Sequence, residues 1–285
     1  MNPFKAPPQT QYTFLSLGAG VQSTCLALMA ARNELPGINI DAAIFADTHA
    51  EPASVYKHLE WLEGVLPYPV HRVSKGNLTE ESLRIRKRQS GPGHWVKSLL
   101  PVYTLETDGI ERKEGHVGRA CTYDYKVTPL TKKQKALASI KRAQDYVTVT
   151  TLIGISMDEI QRVKPSRLKW NQHRWPLIEM EMKRQDCINW MKDKGYPDCP
   201  RSACYYCPYH SNKEWRRLRD DEPEEFQRAI EYERRLHAVN AVTDNMRGKP
   251  FLHNSRVPLD QVDLEDDDPR QMWLWGNECE GICGV

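Results

Sequence analysis

The 285-residue sequence contains no apolar run approaching the roughly 20 residues that a membrane-spanning helix needs. Its first residues, Met1-Asn-Pro-Phe-Lys-Ala-Pro-Pro8, lack the apolar core of a signal peptide. Membrane insertion and secretion are therefore not expected, and a cytoplasmic location is. Charge of one sign is also scarce: 40 Lys and Arg against 38 Asp and Glu leave a net charge of +2, so nucleic-acid binding is not indicated by charge. The two short basic clusters, Arg84-Ile-Arg-Lys-Arg88 and Lys132-Lys-Gln-Lys135, read as solvated helix faces. With 40% apolar and 27% charged residues, the chain is long enough for one large globular domain or a domain with an appendage.

Cysteine, by contrast, is plentiful. Eight cysteines in a reducing compartment point to metal or redox chemistry more than to disulfides. Cys25 and Cys187 fall within helical apolar patterns and read as inert core residues. Cys121, Cys199, Cys204, Cys207, Cys279 and Cys283 lie in turn-rich sequence. Cys204-Tyr-Tyr-Cys207 is a Cys-x-x-Cys turn, which sets two sulfurs on one side of a tight loop and suits a metal or a cluster. Cys199 stands between Pro197 and Pro200 and is a reserve ligand candidate. On spacing alone, four thiolates suit structural zinc as well as an iron–sulfur cluster.

The chain is organised around Phe14 to Thr24, where an apolar run breaks at Gly18-Ala19-Gly20 and an apolar helical pattern follows from Cys25 to Ala31. This predicts strand, tight loop and helix. The glycines admit a close ligand, and the loop and first-turn N–H groups face it with partial positive charge, so an oxyanion such as a nucleotide phosphate is expected there. Further strands are expected at Ile40–Ala46, Pro69–Val73 and Tyr146–Ile155, the last as the central buried strand, with a helix from Ser54 to Leu62. The alternation predicts an α/β fold: a doubly wound, mainly parallel sheet with helices on both faces and ligands at the carboxyl ends of the strands. Residues 10–196 are assigned to this domain and 197–285 to a smaller helical, cysteine-rich C-terminal region. In the latter, Ser211 is expected to cap a helix with Glu214 completing a capping box, and a second helix is expected from Pro223 to about Val239.

Gly18-Ala-Gly-Val-Gln-Ser23 resembles the pyrophosphate-binding loop, Ser-Gly-Gly-x-Asp-Ser, of the adenine nucleotide alpha hydrolase (PP-loop ATP pyrophosphatase) superfamily. The chain is most similar to the branch containing phosphoadenosine phosphosulfate (PAPS) reductases. Gly18 stands where that loop has its first Ser, and Gln22 where it often has Asp. Asp47-Thr-His-Ala-Glu-Pro52 resembles the family segment bordering the adenosine pocket, with His49 in place of a glycine. Cys121-Thr-Tyr-Asp-Tyr-Lys-Val-Thr-Pro-Leu130 is similar to the cysteine motif of the iron–sulfur sulfonucleotide reductases, with Thr122 at the second cysteine and Tyr125 at the arginine. Gly154 to Arg162 resembles the segment Gly-Ile-x-x-Asp-Glu-x-x-Arg. Glu278-Cys279 is faintly similar to the segment carrying the reductases' nucleophile.

The resemblance implies a nucleotide site at Ser16, Gly18, Ala19, Gly20, Gln22, Ser23, Thr24, Asp47, Thr48, Gly154, Arg162 and Lys164. It implies a [4Fe-4S] cluster, with zinc as the alternative, held by Cys121, Cys204, Cys207 and one tail cysteine, Cys283 if Cys279 is the reactive thiol and Cys279 otherwise. Cys279, Lys126 and Arg162 are the implied catalytic residues. The nucleotide is ATP or PAPS (or its unphosphorylated analogue APS), and a thiol reductant or a sulfur-donor protein is the implied partner. Two enzymatic forms follow: reduction of a sulfonucleotide, or splitting of ATP to adenylate and then thiolate a nucleic acid or small molecule. A non-catalytic zinc- or cluster-stabilised nucleotide-binding module is the remaining expectation. Glu159 and Arg162 also satisfy the spacing of a helix-surface ion pair, and Asp47 that of a turn cap.

Overall fold

The strands and helices alternate as the periodicity predicts. The computed structural model describes residues 8–107, 111–141, 144–243 and 246–265. In chain order these form β1 (Tyr12–Ser16), α1 (Val21–Ala31), β2 (Ala42–Asp47), α2 (Ala53–Val65), β3 (Val70–Ser74) and α3 (Leu78–Ser82). Two hairpins follow, β4 (Arg86–Lys87) with β5 (His94–Trp95), and β6 (Tyr103–Thr107) with β7 (Arg112–His116). A π-helical turn, Thr122–Val127, runs directly into α4 (Thr128–Leu137). Then come β8 (Val149–Ile153), a 3-10 stretch Met157–Arg162, β9 (Asn171–Arg174), α5 (Pro176–Glu179), α6 (Arg184–Asp193), α7 (Asn212–Asp221), α8 (Pro223–Ala241) and β10 (Lys249–Phe251).

The main sheet has the order β3-β2-β1-β8-β9, and every neighbour in it is parallel. Side chains alternate across it. Leu15, Ala43, Phe45 and Leu152 face α1, α2 and α6, whereas Phe14, Ala42, Ile44 and Val149 face α4 and Trp170. The fold is therefore the expected α/β one, with helices on both faces. The central strand differs from expectation: it is β1, flanked by β2 and β8. Of the Tyr146–Ile155 run only Val149–Ile153 pairs as a strand, while Tyr146 and Val147 are exposed. β1 leads out to β2 on one side and the chain later returns to β8 on the other, so the crevice between β1 and β8 is a topological switch point, where open α/β sheets bind ligands.

A second core draws on both the 78–125 stretch and the chain after residue 197. Leu78, Leu99 and Tyr125 pack with Tyr206, Trp215 and Tyr232. β10 pairs antiparallel with β6, tying the C-terminal helices to the hairpins. Ser211 caps α7 by accepting the Glu214 N–H at 3.4 Å. The Glu214 carboxylate meets Arg217 and Arg201, so the reciprocal half of a capping box is replaced by ion pairs. Cys25 and Cys187 are fully buried, as expected. Cys279 and Cys283 lie outside the described residues.

Candidate functional site

The β1–α1 loop turns on Ala19, which adopts φ +56°, a left-handed conformation that glycine would take more readily. Gly20 is extended and precedes α1, and no side chain caps the helix. The Ser23 hydroxyl closes the loop, accepting from Gly18 N at 3.2 Å and donating to Gly20 O at 3.3 Å. α1 begins on Gly154 at the end of β8: a Cβ there would stand 2.8 Å from Ser23 N and 2.9 Å from Ser23 Cα. Only a residue without Cβ lets the first turn of α1 sit this close to the sheet. Gly154 thus acts by seating the helix whose N–H groups line the loop.

Two polar atoms are buried at this crevice without a hydrogen-bond partner among the described residues, Ser16 Oγ and Gln22 Oε1. The Gln22 amide nitrogen is engaged, donating to Glu159 Oε2 at 3.1 Å and Ser156 Oγ at 3.4 Å. Glu159 is ion-paired with Arg162 at i,i+3. Arg162 is therefore held against a carboxylate that also fixes Gln22. Thr24, in the first turn and a half of α1, contacts His58 Nε2 at 3.1 Å, and the Cys199 sulfur lies 3.4 Å from the same nitrogen. Burial lowers the His58 pKa to about 4, so the imidazole is neutral near pH 7. Cys199, the reserve ligand, is placed with this cluster.

At the end of β2, Asp47 accepts the His49 N–H and the Tyr56 hydroxyl, each at 2.7 Å. It therefore caps the turn that follows it. His49, standing where the related segments have glycine, has φ +59°. The next residues lead to the cysteines. Thr48 Oγ1 is 3.5 Å from Cys204 Sγ, and Tyr205 N donates to Ala50 O at 2.9 Å, docking the Cys-x-x-Cys turn on the β2–α2 connection. Cys207 N bonds Cys204 O at 2.9 Å within that turn.

Cys121, Cys204 and Cys207 line one cavity of about 30 Å³ together with Thr48, Thr122, Lys126 and Arg119. Lys126 projects from the π-helical turn and is buried, its Nζ 3.2 Å from Glu51 Oε1. Ser202 Oγ donates to the other Glu51 oxygen at 3.4 Å. Burial, and then the Glu51 charge, push the Cys204 thiol well above its ordinary pKa, while Lys126 pulls it down. The donor set fits a thiolate-ligated metal group. Among the described residues no three His, Cys, Asp or Glu converge on a single-ion site.

The structure brings the loop residues, Thr48 and Gly154 to one edge of the sheet, and the three cysteines with Lys126 to a neighbouring cavity. It sets Lys164 apart: this residue is exposed and lines a different cavity, on the α4 face. Glu51 is the residue that sequence reasoning passed over. It stands within the quoted Asp47–Pro52 segment, but the buried cation that reveals it is 75 positions away.

No protein-family model and no curated protein sequence matches the chain. Among solved structures it is similar to a PAPS reductase from Candida auris in a phosphate complex, at 10% identity and TM-score 0.37, over 67% of this chain and 75% of that one. At that distance the functional reading rests on this chain's own residues.

Proposed function

We propose that the chain is an adenine-nucleotide-dependent enzyme of sulfur chemistry, binding nucleotide phosphates on the β1–α1 loop beside a cysteine-held [4Fe-4S] cluster. One observation carries the reading: a glycine-bounded loop with uncapped helix N–H groups and the unpartnered Ser16 hydroxyl lies at the same strand ends as a three-thiol cavity, with the ends of β1 and β2 linking them. Uncapped N–H groups at the start of α1 address the phosphates, and the Ser16 hydroxyl offers them a hydrogen bond; Gln22 Oε1 is an acceptor and serves a donor group of the ligand instead. Cys121, Cys204 and Cys207 would hold the cluster, with a fourth thiolate from Cys283. The cluster would supply a redox-active or structural centre that ties the three thiols to a fourth ligand beside the nucleotide site. Lys126 balances Glu51 and keeps that carboxylate from repelling an anion.

In the reductive form, the Cys279 thiolate attacks the sulfate sulfur of PAPS or APS. The bond from that sulfur to the phosphate oxygen breaks and the nucleotide leaves as its phosphate. An external thiol reductant then delivers two electrons and releases sulfite from the cysteine S-sulfonate. The second form is adenylation of an acceptor oxygen by ATP with release of pyrophosphate, followed by displacement of AMP by sulfur from a donor protein. In either form Lys126 and Arg162 already hold carboxylates, which leaves the loop N–H groups as the principal anion donors.

The test is anaerobic purification followed by iron, sulfide and zinc analysis and an absorption spectrum, with and without ATP or PAPS. Iron and sulfide near four each per chain, with a spectrum perturbed by one nucleotide, is the expected result, and the perturbing nucleotide selects the form. Stoichiometric zinc without sulfide would remove the cluster chemistry and leave a zinc-stapled nucleotide-binding module.

A further inference from the structure

A cavity of about 450 Å³ shares no residue with the β1–α1 loop or the cysteine cavity. It lies between α4 and the 164–168 segment that leads into β9. Lys132 and Lys135 enter it from one side, Lys164 and Arg167 from the other, and no carboxylate lines it. In a chain with net charge +2, four cations around one concavity form a local excess that focuses positive potential. Lys132, Lys135 and Arg167 take part in none of the ion pairs found among the described residues. Lys135 lies over the Trp170 ring at 5.7 Å, which holds its stem against the pocket wall.

The remaining lining is mixed, with Tyr123, Val127, Pro165 and Leu168 beside the hydroxyls of Thr128, Thr131 and Ser166. Tyr123 is 54% exposed at the mouth, with Val127 below it and Leu168 opposite. The floor carries a built polar group. Asn171 is 5% exposed, and its Oδ1 accepts from Thr151 Oγ1 at 2.9 Å. Gln134 in turn donates to Thr151 at 2.7 Å, which fixes the chain of dipoles. The Asn171 carbonyl is thereby engaged, and its amide NH₂ is the part able to address a ligand.

We propose that this cavity is a second binding site, for a nucleotide unit: phosphate on Lys132, Lys135, Lys164 and Arg167, base against Tyr123 with its edge toward Asn171. The volume suits a ligand of that size, and an aromatic ring beside clustered cations is how proteins hold single-stranded nucleic acid. The unit reaches the pocket either as a free nucleotide or within an RNA or DNA strand. The location gives it a use. Thr122 and Lys126 of the π-helical turn line the cysteine cavity, while Tyr123 and Val127 of the same turn line this one, so a bound unit lies across that turn from the three thiols. The site stands whether or not the β1–α1 loop binds a nucleotide.

The experiment uses the full chain and a fluorescein-labelled 12-nucleotide single-stranded RNA, followed by anisotropy at two salt concentrations, with unlabelled 5′-AMP as competitor. The expected result is binding that weakens with salt, falls at least tenfold in Lys132→Glu/Lys135→Glu and about fivefold or more in Tyr123→Ala. Thermal melting and ATP binding at the loop stay unchanged in these surface variants. Displacement by 5′-AMP at concentrations near those of the RNA identifies the free nucleotide as the ligand; displacement only by unlabelled RNA identifies the strand. Failure of the wild-type chain to bind either probe, or equal binding by the charge-reversed variant, overturns the proposal. A Gly20→Asp variant, altered only at the loop, keeps RNA binding and so separates this site from the first.

Discussion

Removing either member of the buried Glu51–Lys126 pair should destabilise the protein far more than removing both. The two charges are 3.2 Å apart with side-chain exposures of 1% and 7%. At an effective dielectric of about 20 their attraction is about 5 kcal/mol, set against a desolvation cost of several kcal/mol per ion. The net worth of the pair is therefore small, whereas a lone buried charge keeps its full desolvation cost. Glu51→Gln or Lys126→Met alone is expected to cost about 3–5 kcal/mol, with the double variant costing well under the sum. The assay is urea unfolding of the wild type, both singles and the double at pH 7. Additive effects, or single variants within about 1 kcal/mol of wild type, would refute the claim that the two groups are buried as a charged pair.

Gly154→Ala should cost about 1–3 kcal/mol, because its Cβ meets backbone of Ser23 that cannot turn aside, and should weaken nucleotide binding by displacing α1; melting and ATP titration measure both. Ser23→Ala, which removes the hydroxyl bridging Gly18 N and Gly20 O, is expected to cost about 1 kcal/mol and is checked by urea midpoint. The His58 pKa is depressed to about 4 in the folded protein against about 6.5 when unfolded. The unfolded chain therefore binds the proton first, and this contribution to stability, whole above pH 6.5, is lost as pH falls toward 4. His58→Gln should flatten that part of the stability–pH curve, and an unchanged slope between pH 6.5 and 4.5 would contradict the burial of a neutral imidazole.

Four of the five strands of the main sheet were legible as β-rich runs ended by a turn signal, and the Gly-rich break after β1 marks its end; β9 was not, because Asn171-Gln-His-Arg174 is polar throughout. Details that depend on backbone conformation were not. Ala19 and His49 carry the left-handed turns, and neither residue type announces one. The π-helical form of Thr122–Val127 leaves no mark in sequence that separates it from the α-helix it joins. Tyr146–Ile155 looks like the longest strand, yet only Val149–Ile153 pairs as one while Tyr146 and Val147 are exposed, and the glycine-bounded β1 takes the centre. Cys199 illustrates the limit for side chains: flanking prolines gave it no direction, and contacts with Thr24 and His58, 175 and 141 positions away, decide its place. The Lys132–Lys135 cluster reads as a solvated helix face in sequence. Only the fold brings Lys164 and Arg167 across from it.

The most direct test of the central claim is calorimetric titration of ATP and of PAPS into the anaerobically prepared wild-type chain and into Gly20→Asp. The substitution places a carboxylate at the buried N-cap of α1, where it occupies the N–H groups that a phosphate would use, the capping bonds offsetting its desolvation. The account predicts one nucleotide bound per wild-type chain and at least a tenfold loss of affinity in a variant that melts no lower. Absence of binding by either nucleotide, or undiminished binding by the variant, would contradict the assignment of the β1–α1 loop as the nucleotide site.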